Sequence, residues 1–364
     1  MAKRVGVDKW LFGIVLLLTL FGLVSVFSAS AVMAKERYGS PYTFMVKQAV
    51  WGLFGMVALV ILMRTNYRRY NNPRVVLPVV AVTALTLMGV FLLHDSHNTH
   101  RWIRFGSFFT FQPSEIAKPV LVLFLAWFLQ TRMQAMEDWR NTILPAAIPS
   151  LFFIALILKE PDLGTALVCA AVTGLMLYLA GAQVRYFAIA CALAAPVLYW
   201  MLFHVAWRRA RMIAFINPDA DPRGTGFHIL QSLIAVGTGG VFGRGLMEGV
   251  QKLFFLPEPH TDFIFANICE ELGLVGALLV VALFVALGYR GLRAAILSTD
   301  PFARFLAFGI TATILIQAFF NISVVLALLP TKGIPLPFIS SGGTSLFITL
   351  ASMGVLLNIT REID

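Results

Sequence analysis

The sequence predicts an all-α, polytopic membrane protein of about ten transmembrane helices. Hydrophobic residues fill 59% of its 364 positions and charged residues only 13%, whereas soluble domains carry roughly 25% charge. The apolar residues fall in continuous runs near 10–33, 44–63, 75–93, 113–130, 142–158, 163–181, 187–204, 263–289, 302–328 and 342–360. A helix crossing a bilayer uses about 20 such residues. The runs do not alternate polar with apolar, as strands of a membrane barrel must. This composition excludes a cytosolic enzyme and a disordered chain. No repeat or low-complexity tract interrupts the pattern, and 1–364 reads as one integral membrane unit.

The first run follows a basic segment, Met1 to Lys9, and is too long for a signal-peptide core, so it reads as a retained span. Four arginines, Arg64, Arg68, Arg69 and Arg74, separate the second run from the third. Pro113 opens the fourth run, where the first helical turn needs no N–H. Pro161 breaks the fifth run from the sixth. A connection of about 205–262 follows the seventh run, and a segment rich in proline and glycine separates the last two.

Orientation follows from the cations of the short loops. With the N-terminus inside, Lys3, Arg4, Lys9 and the four arginines above share the cytoplasmic side with Arg132, Arg140, Arg185, Arg290, Arg293 and Arg361. The opposite short loops carry only Lys35, Arg37, Arg101, Arg104, Lys159 and Lys332. The bias predicts both termini inside and the long connection between helices 7 and 8 outside. The net charge of +10, from 28 Lys and Arg against 18 Asp and Glu, is therefore loop statistics. Without a dense basic run it implies no nucleic-acid partner. Cys169, Cys191 and Cys269 lie in apolar runs without metal or disulfide spacing, and read as packing residues.

Polar residues at span ends or at membrane depth carry the functional information, because burying them is costly. Four segments qualify. In Gln112-Pro113-Ser114-Glu115-Ile116-Ala117-Lys118, Glu115 and Lys118 share a helix face, as a self-neutralising ion pair or as a charge pair lining a polar cavity. In Lys159-Glu160-Pro161-Asp162-Leu163-Gly164-Thr165, Asp162 suits an N-cap or a site. In the segment from Leu256 to Phe265, Glu258, His260 and Asp262 alternate just before a span. A carboxylate at that outer lip is placed to act as a general base, its pKa raised by desolvation. Glu270 and Glu271 lie further in, and at least one of them needs a polar partner. The fourth segment, Leu329 to Ser345, is long and broken by prolines. Irregular backbone at membrane depth must be buried in protein or line a cavity, and Gly342 and Gly343 would suit close approach to a phosphate.

Together and in this order, these segments resemble the SEDS family of bacterial shape, elongation, division and sporulation proteins. The resemblance rests on QPSEIAK, PDLGTA, NPDADPRGTGFHILQS, LPEPHTDFIFA with EELGLVG, and LPTKGIPLPFISSGG, and covers nearly the whole chain. Thr331-Lys332-Gly333 after Leu329-Pro330 looks like the division member of the family rather than the elongation member, and Glu258-Pro259-His260 points the same way. Membership implies a ten-helix fold and a peptidoglycan glycosyltransferase that polymerises lipid II at the outer face of the bacterial cytoplasmic membrane, with the division septum as its expected place.

By position, Asp262 matches the family's essential aspartate, expected to deprotonate the acceptor hydroxyl. Glu115 matches the cavity carboxylate and Asp162 the aspartate of PDLGT. Lys118, Arg208, Arg211, Arg244 and Lys332 are the outward cations that would neutralise the leaving pyrophosphate. Glu258, His260, Thr261, Ser340, Gly342 and Gly343 complete the expected cavity. A divalent cation, Mg²⁺ or Mn²⁺, at the pyrophosphate is a further expectation. The partners implied are a class B penicillin-binding protein, for peptide cross-linking, and other membrane proteins of division.

The sequence departs from the family's usual pattern at Glu160 (for Gln), Phe227-His228 (for Tyr-Gln), Asn267 with Cys269, Ser341 (for Tyr) and Thr344 (for Ser). None of these removes Asp262, Glu115 or Lys118. The competing readings are a lipid II flippase, supported by Glu115 and Lys118 at membrane depth, and a scaffold for division proteins. Paired broken helices in an inverted repeat, frequent in transporters, are not evident.

Overall fold

The computed structural model describes residues 6–92, 101–105, 109–133, 138–253, 255–256 and 258–362. Lys3, Arg4 and Pro257 of the sequence reading lie outside these residues, as does the side chain of Arg104. Ten helices correspond to the ten apolar runs: α1 (Lys9–Tyr38), α2 (Thr43–Arg64), α3 (Pro73–Gly89), α4 (Pro113–Gln130), α5 (Leu144–Lys159), α6 (Leu163–Leu179), α7 (Val184–Phe203), α10 (Ile264–Leu297), α11 (Pro301–Val325) and α12 (Gly343–Thr360). Eight of these segments are long and apolar enough to cross a membrane. The other two are α4, which carries the charges Glu115 and Lys118, and α6, which has 17 residues. The long connection is not open loop: it holds α8 (Ala206–Ile216) and α9 (Phe227–Thr238). Ahead of α4, a hairpin of β1 (Ile103–Phe105) and β2 (Phe109–Phe111) pairs antiparallel. Its runs are too short to register in the sequence pattern.

The helix starts obey local chemistry. Asp8, Asp162 and Asp300 accept backbone N–H groups at the first turns of α1, α6 and α11, filling donors the helix leaves unpaired. Small residues bring the spans close, since helix association in a bilayer depends on contact rather than on hydrophobic exclusion. A Cβ on Gly55 of α2 would meet Leu350 of α12, and one on Gly354 of α12 would meet the Leu59 carbonyl oxygen at 2.5 Å. In the middle of the bundle, α4 packs on α3, α6 and α11, while α10 packs on α1 and α11. By contrast α7 buries no residue. Its Cys191 is exposed, correcting its reading as a packing residue, whereas Cys169 and Cys269 are buried.

Polar ties gather both termini at one end of the bundle. Arg290 pairs with Asp8 at 2.6 Å and Arg68 with Glu362 at 2.9 Å. The Asn358 side chain accepts the Tyr67 N–H, and Thr360 Oγ1 accepts the Asp8 N–H. An even number of crossings requires this arrangement. At the opposite end stand the α5–α6 turn, the start of α10 and the α11–α12 connection, and there the four polar segments converge.

Candidate functional site

Asp262 sits one residue ahead of the α10 N-cap, and packing of irregular backbone against irregular backbone fixes its place. Asn321 of α11 donates to the Asp262 carbonyl at 2.8 Å and to the Ile334 carbonyl at 2.7 Å. One turn away on the same helix, Gln317 donates to the Pro335 carbonyl at 2.9 Å. Ser340 Oγ donates to the Thr261 carbonyl at 2.6 Å, and the Ser341 N–H donates to the His260 carbonyl. The α11–α12 connection is thereby fastened along the entry to α10. Where they meet, a Cβ on Gly333 would lie 2.7 Å from Asp262 Oδ2. The α5–α6 turn closes on the same loop, since a Cβ on Gly164 would strike the Ile334 side chain at 2.6 Å.

Around Asp262 the surface forms a cleft with two lobes that share Trp207, Arg211, Thr331, Lys332 and Gly333. Arg101, Asp162, Arg208, Arg211 and Lys332 supply the charges of one lobe. Asp221, Thr225, His228, Glu258 and Asp262 give the other its polar groups. The amphipathic helix α8 roofs both lobes, with the Arg208 and Arg211 guanidinium groups 5.0 and 5.1 Å from the centre of the Trp207 ring. Thus the segment that sequence reading treated as loop delivers two of the cations through a short helix.

Among the described residues the Asp262 carboxylate accepts no hydrogen bond. Burial, then repulsion from Glu258 and Asp162, raises its pKa to about 7 against the pull of Arg101 and Arg211. Burial, then the neighbouring Arg208, lowers Lys332 to about 8. A carboxylate poised near neutrality beside a cluster of cations suits proton abstraction coupled to stabilisation of a departing anion. Asp162 is the N-cap that its place before α6 suggested, and it also faces the cleft. It caps α6 by accepting from the Thr165 N–H and Oγ1, it accepts from Gln112, and it lines the cationic lobe.

Several expected cavity residues stand elsewhere. Glu115 and Lys118 pair at 2.9 Å inside the bundle, and Lys118 donates to Gln317 at 2.6 Å. They line a separate cavity of about 20 Å³, and Gln317 links Lys118 to the Pro335 carbonyl of the α11–α12 connection. Arg244 lies 3.9 Å from Glu270, turned toward α10 rather than the cleft. His260 is buried against Phe44, and burial lowers its pKa to about 4, which keeps it neutral. Thr261 and Ser340 latch the loops together. Gly342 donates its N–H to Gln48, and a Cβ on Gly343 would run into the Trp51 indole, so packing accounts for both glycines. Both members of the Glu270-Glu271 pair have partners. Glu270 accepts the Val250 and Gln251 N–H groups, while Glu271 is bound by Lys252 at 2.6 Å and by Ser28.

Sequence reading missed three contributors. Gln317 and Asn321 are amides four apart within an apolar run, a signal of the same kind that singled out Glu115. In the sequence Arg101 reads only as one of the few outer-side cations. Its Nε donates to the Glu160 carbonyl at 2.8 Å and its Nη2 to the Pro161 carbonyl.

Residues 8–364 match the profile of the FtsW/RodA/SpoVE family, described as "Cell cycle protein". A Geobacter metallireducens protein named "Probable peptidoglycan glycosyltransferase FtsW" is 43% identical over 348 residues, covering 95% of this chain and 92% of that one. Stage V sporulation protein E of Bacillus subtilis is 38% identical over 362 residues, 99% of this chain and 98% of that one. Among solved structures, a chain of a peptidoglycan synthase complex described as coordinating polymerization and crosslinking superposes with TM-score 0.79, at 26% identity, over 98% of this chain and 99% of that chain. Thermus thermophilus RodA shares the fold, with TM-score 0.70 at 24% identity over 98% of this chain and 97% of that one.

Proposed function

The chain belongs to the FtsW/RodA/SpoVE family of cell cycle proteins, and from that premise we propose that it is a peptidoglycan glycosyltransferase that polymerises lipid II, with Asp262 as general base. The observation that carries this reading is the Asp262 carboxylate itself. It is free of donors among the described residues, raised to about 7, and set beside Arg211 and Lys332 in one cleft. In its ionised form it takes the proton of the acceptor sugar's 4-hydroxyl. The oxygen bonds to the anomeric carbon of the lipid-linked donor, and the bond from that carbon to the pyrophosphate oxygen breaks with its electron pair leaving on the pyrophosphate. The relatives' names favour the division role, hence work at the septum beside a class B penicillin-binding protein and other division proteins. The elongation role is the alternative.

Among the described residues no three His, Cys, Asp or Glu side chains gather as ligands, so an Mg²⁺ or Mn²⁺ at the pyrophosphate would rest on the substrate's own phosphates and one or two cleft carboxylates such as Asp162. A flippase reading loses its support, because Glu115 and Lys118 neutralise each other and are tied to Gln317. The test is glycan formation from lipid II by the purified protein with its transpeptidase partner. Asp262→Asn is expected to abolish polymer while the fold survives, and wild-type polymerisation by that variant would overturn the assignment.

A further inference from the structure

We propose that α9 and the turn after it, as far as Met247, form a re-entrant hairpin seated in the outer leaflet, and that the acyl chains of that leaflet are the partner of its exposed apolar crest. The inference is independent of the glycosyltransferase reading. It starts from a break in α10. Gly273 has φ 65° and ψ −160° inside that helix, a conformation reserved for glycine, and the hydrogen-bond ladder is interrupted there. The turn 240–245 fills the gap with its own backbone. The Leu274 and Val275 N–H groups donate to the Gly240 and Val241 carbonyls, while the Arg244 and Gly245 N–H groups donate to the Glu270 and Glu271 carbonyls. The contact is so close that a Cβ on Gly243 or on Gly273 would strike the backbone of the other segment.

The second support is depth, which three helices report. On α10, Gly273 stands about 25 Å from Arg290, the cytoplasmic partner of Asp8, at 1.5 Å per residue. On α1, Ser28 stands about 28 Å from Lys9 by the same rise, and its hydroxyl donates to Glu271. On α11, Val325 stands about 31 Å from Arg304, and its carbonyl accepts from Ser232 of α9. The hydrocarbon core is about 30 Å thick, so Ser232 lies at its outer boundary. From there α9 runs inward. His228 near its start stacks on Phe263, whereas a Cβ on Gly239 at its end would strike the Cys269 carbonyl. The turn therefore lies level with Leu274 and Val275, inside the outer leaflet. Irregular backbone at that depth must find its partners in protein, and the four bonds to α10 supply them.

The third support is the surface itself. Phe242 is 84% exposed, and Val241, Leu246 and Met247 about half. Beside them stand Leu274, Val275 and Leu278, exposed apolar residues of a membrane-spanning helix, so the crest continues a lipid-facing surface. Arg244, the single charge between Gly239 and Met247, turns back to Glu270 at 3.9 Å, as a charge near hydrocarbon must. So anchored, the hairpin holds the first turns of α10, and Asp262 ahead of them, at a set height on the membrane.

The experiment reads the depth of the crest in the purified full chain, reconstituted without partners in vesicles of phosphatidylethanolamine and phosphatidylglycerol. Cys191→Ser removes the exposed native thiol, the other two being buried. In that background Phe242→Cys and Arg223→Cys each carry a nitroxide spin label, with Arg223, exposed in the turn ahead of α9, as the water-facing reference. Collisions with a water-soluble nickel chelate are expected to be about tenfold fewer at residue 242 than at residue 223, because polar solutes are costly to move into hydrocarbon. Collisions with oxygen are expected to be more frequent there. Met247→Cys is expected to give the pattern of residue 242, and it decides the matter if Phe242→Cys fails to fold. Equal nickel access at 242 and 223 would overturn the proposal. Shielding of residue 242 that appears only when the transpeptidase partner is added would also overturn it, and would assign the crest to protein.

Discussion

The backbone of Gly333 lies so close to the carboxylate of Asp262 that a Cβ at residue 333 would come within 2.7 Å of Oδ2. The glycine is therefore a spatial requirement of the base. Gly333→Ala must push the carboxylate aside, and a small misplacement of a reacting group costs up to about 100-fold in rate. Lipid II polymerisation by Gly333→Ala is expected to fall about 10- to 100-fold, mainly in kcat, with the melting temperature little changed. A wild-type kcat would show that the carboxylate has room to move.

The pH dependence of kcat/KM reports the free enzyme. Asp262 must lose its proton to act, so the rate is expected to rise through about pH 7. Lys332 must keep its proton to stabilise the leaving group, so the rate is expected to fall above about pH 8. The profile is a narrow bell. Lys332→Arg should carry the alkaline limb upward, because a guanidinium stays charged. An alkaline limb that does not move in this variant would free Lys332 of that role.

Glu160 is fully buried, and neither of its carboxyl oxygens has a hydrogen-bond partner among the described residues. Burial, then the charge of Asp162, raises its pKa from 4.5 to about 8. Between those values the unfolded chain releases a proton that the folded chain retains, so stability falls as pH rises, by about 1.4 kcal/mol per unit in that window. Glu160→Gln removes the titration. Its melting temperature is expected to exceed that of the natural chain by about 3 °C or more at pH 8 and by less than about 1 °C at pH 5. An equal difference at both pH values would place the cause elsewhere.

Lys252 and Glu271 form a buried pair at 2.6 Å, tying the long connection to α10 and, through Ser28, to α1. Removing one partner leaves the other charge buried, at a cost of about 3–5 kcal/mol. Lys252→Met is expected to lose that much in detergent unfolding, and Lys252→Met with Glu271→Leu to recover most of it. A double variant no better than the single one would argue against a charge-pair clamp.

Much of the site was legible before folding was considered. Asp262, Asp162, Arg208, Arg211, Glu258 and Lys332 stood out because charge is scarce in this chain, and all six line the cleft. Glu115, Lys118 and Arg244 stood out for the same reason and stand outside it. A charge in an apolar sequence is a signal of cost, and ion pairs that hold helices and loops meet that cost as well as active sites do. Gln317 and Asn321 escaped notice because an uncharged amide interrupts an apolar run only slightly. Yet they fasten the carbonyls of the active loops.

The sequence alone determined the membrane class, the ten helical runs and which charged residues stand at their ends, because hydrophobic length and residue type are local properties. Only the tertiary structure decided which outer cations face Asp262, that α8 carries two of them over the cleft, and that Gly333 of the last loop lies against the Asp262 carboxylate while Gly343 packs on Trp51. Those outcomes depend on distances between segments as far as 231 residues apart, as from Arg101 to Lys332. The loops that bring them together are set by backbone carbonyls meeting Asn321, Gln317 and Ser340. Such contacts have no period and leave little trace in a linear pattern.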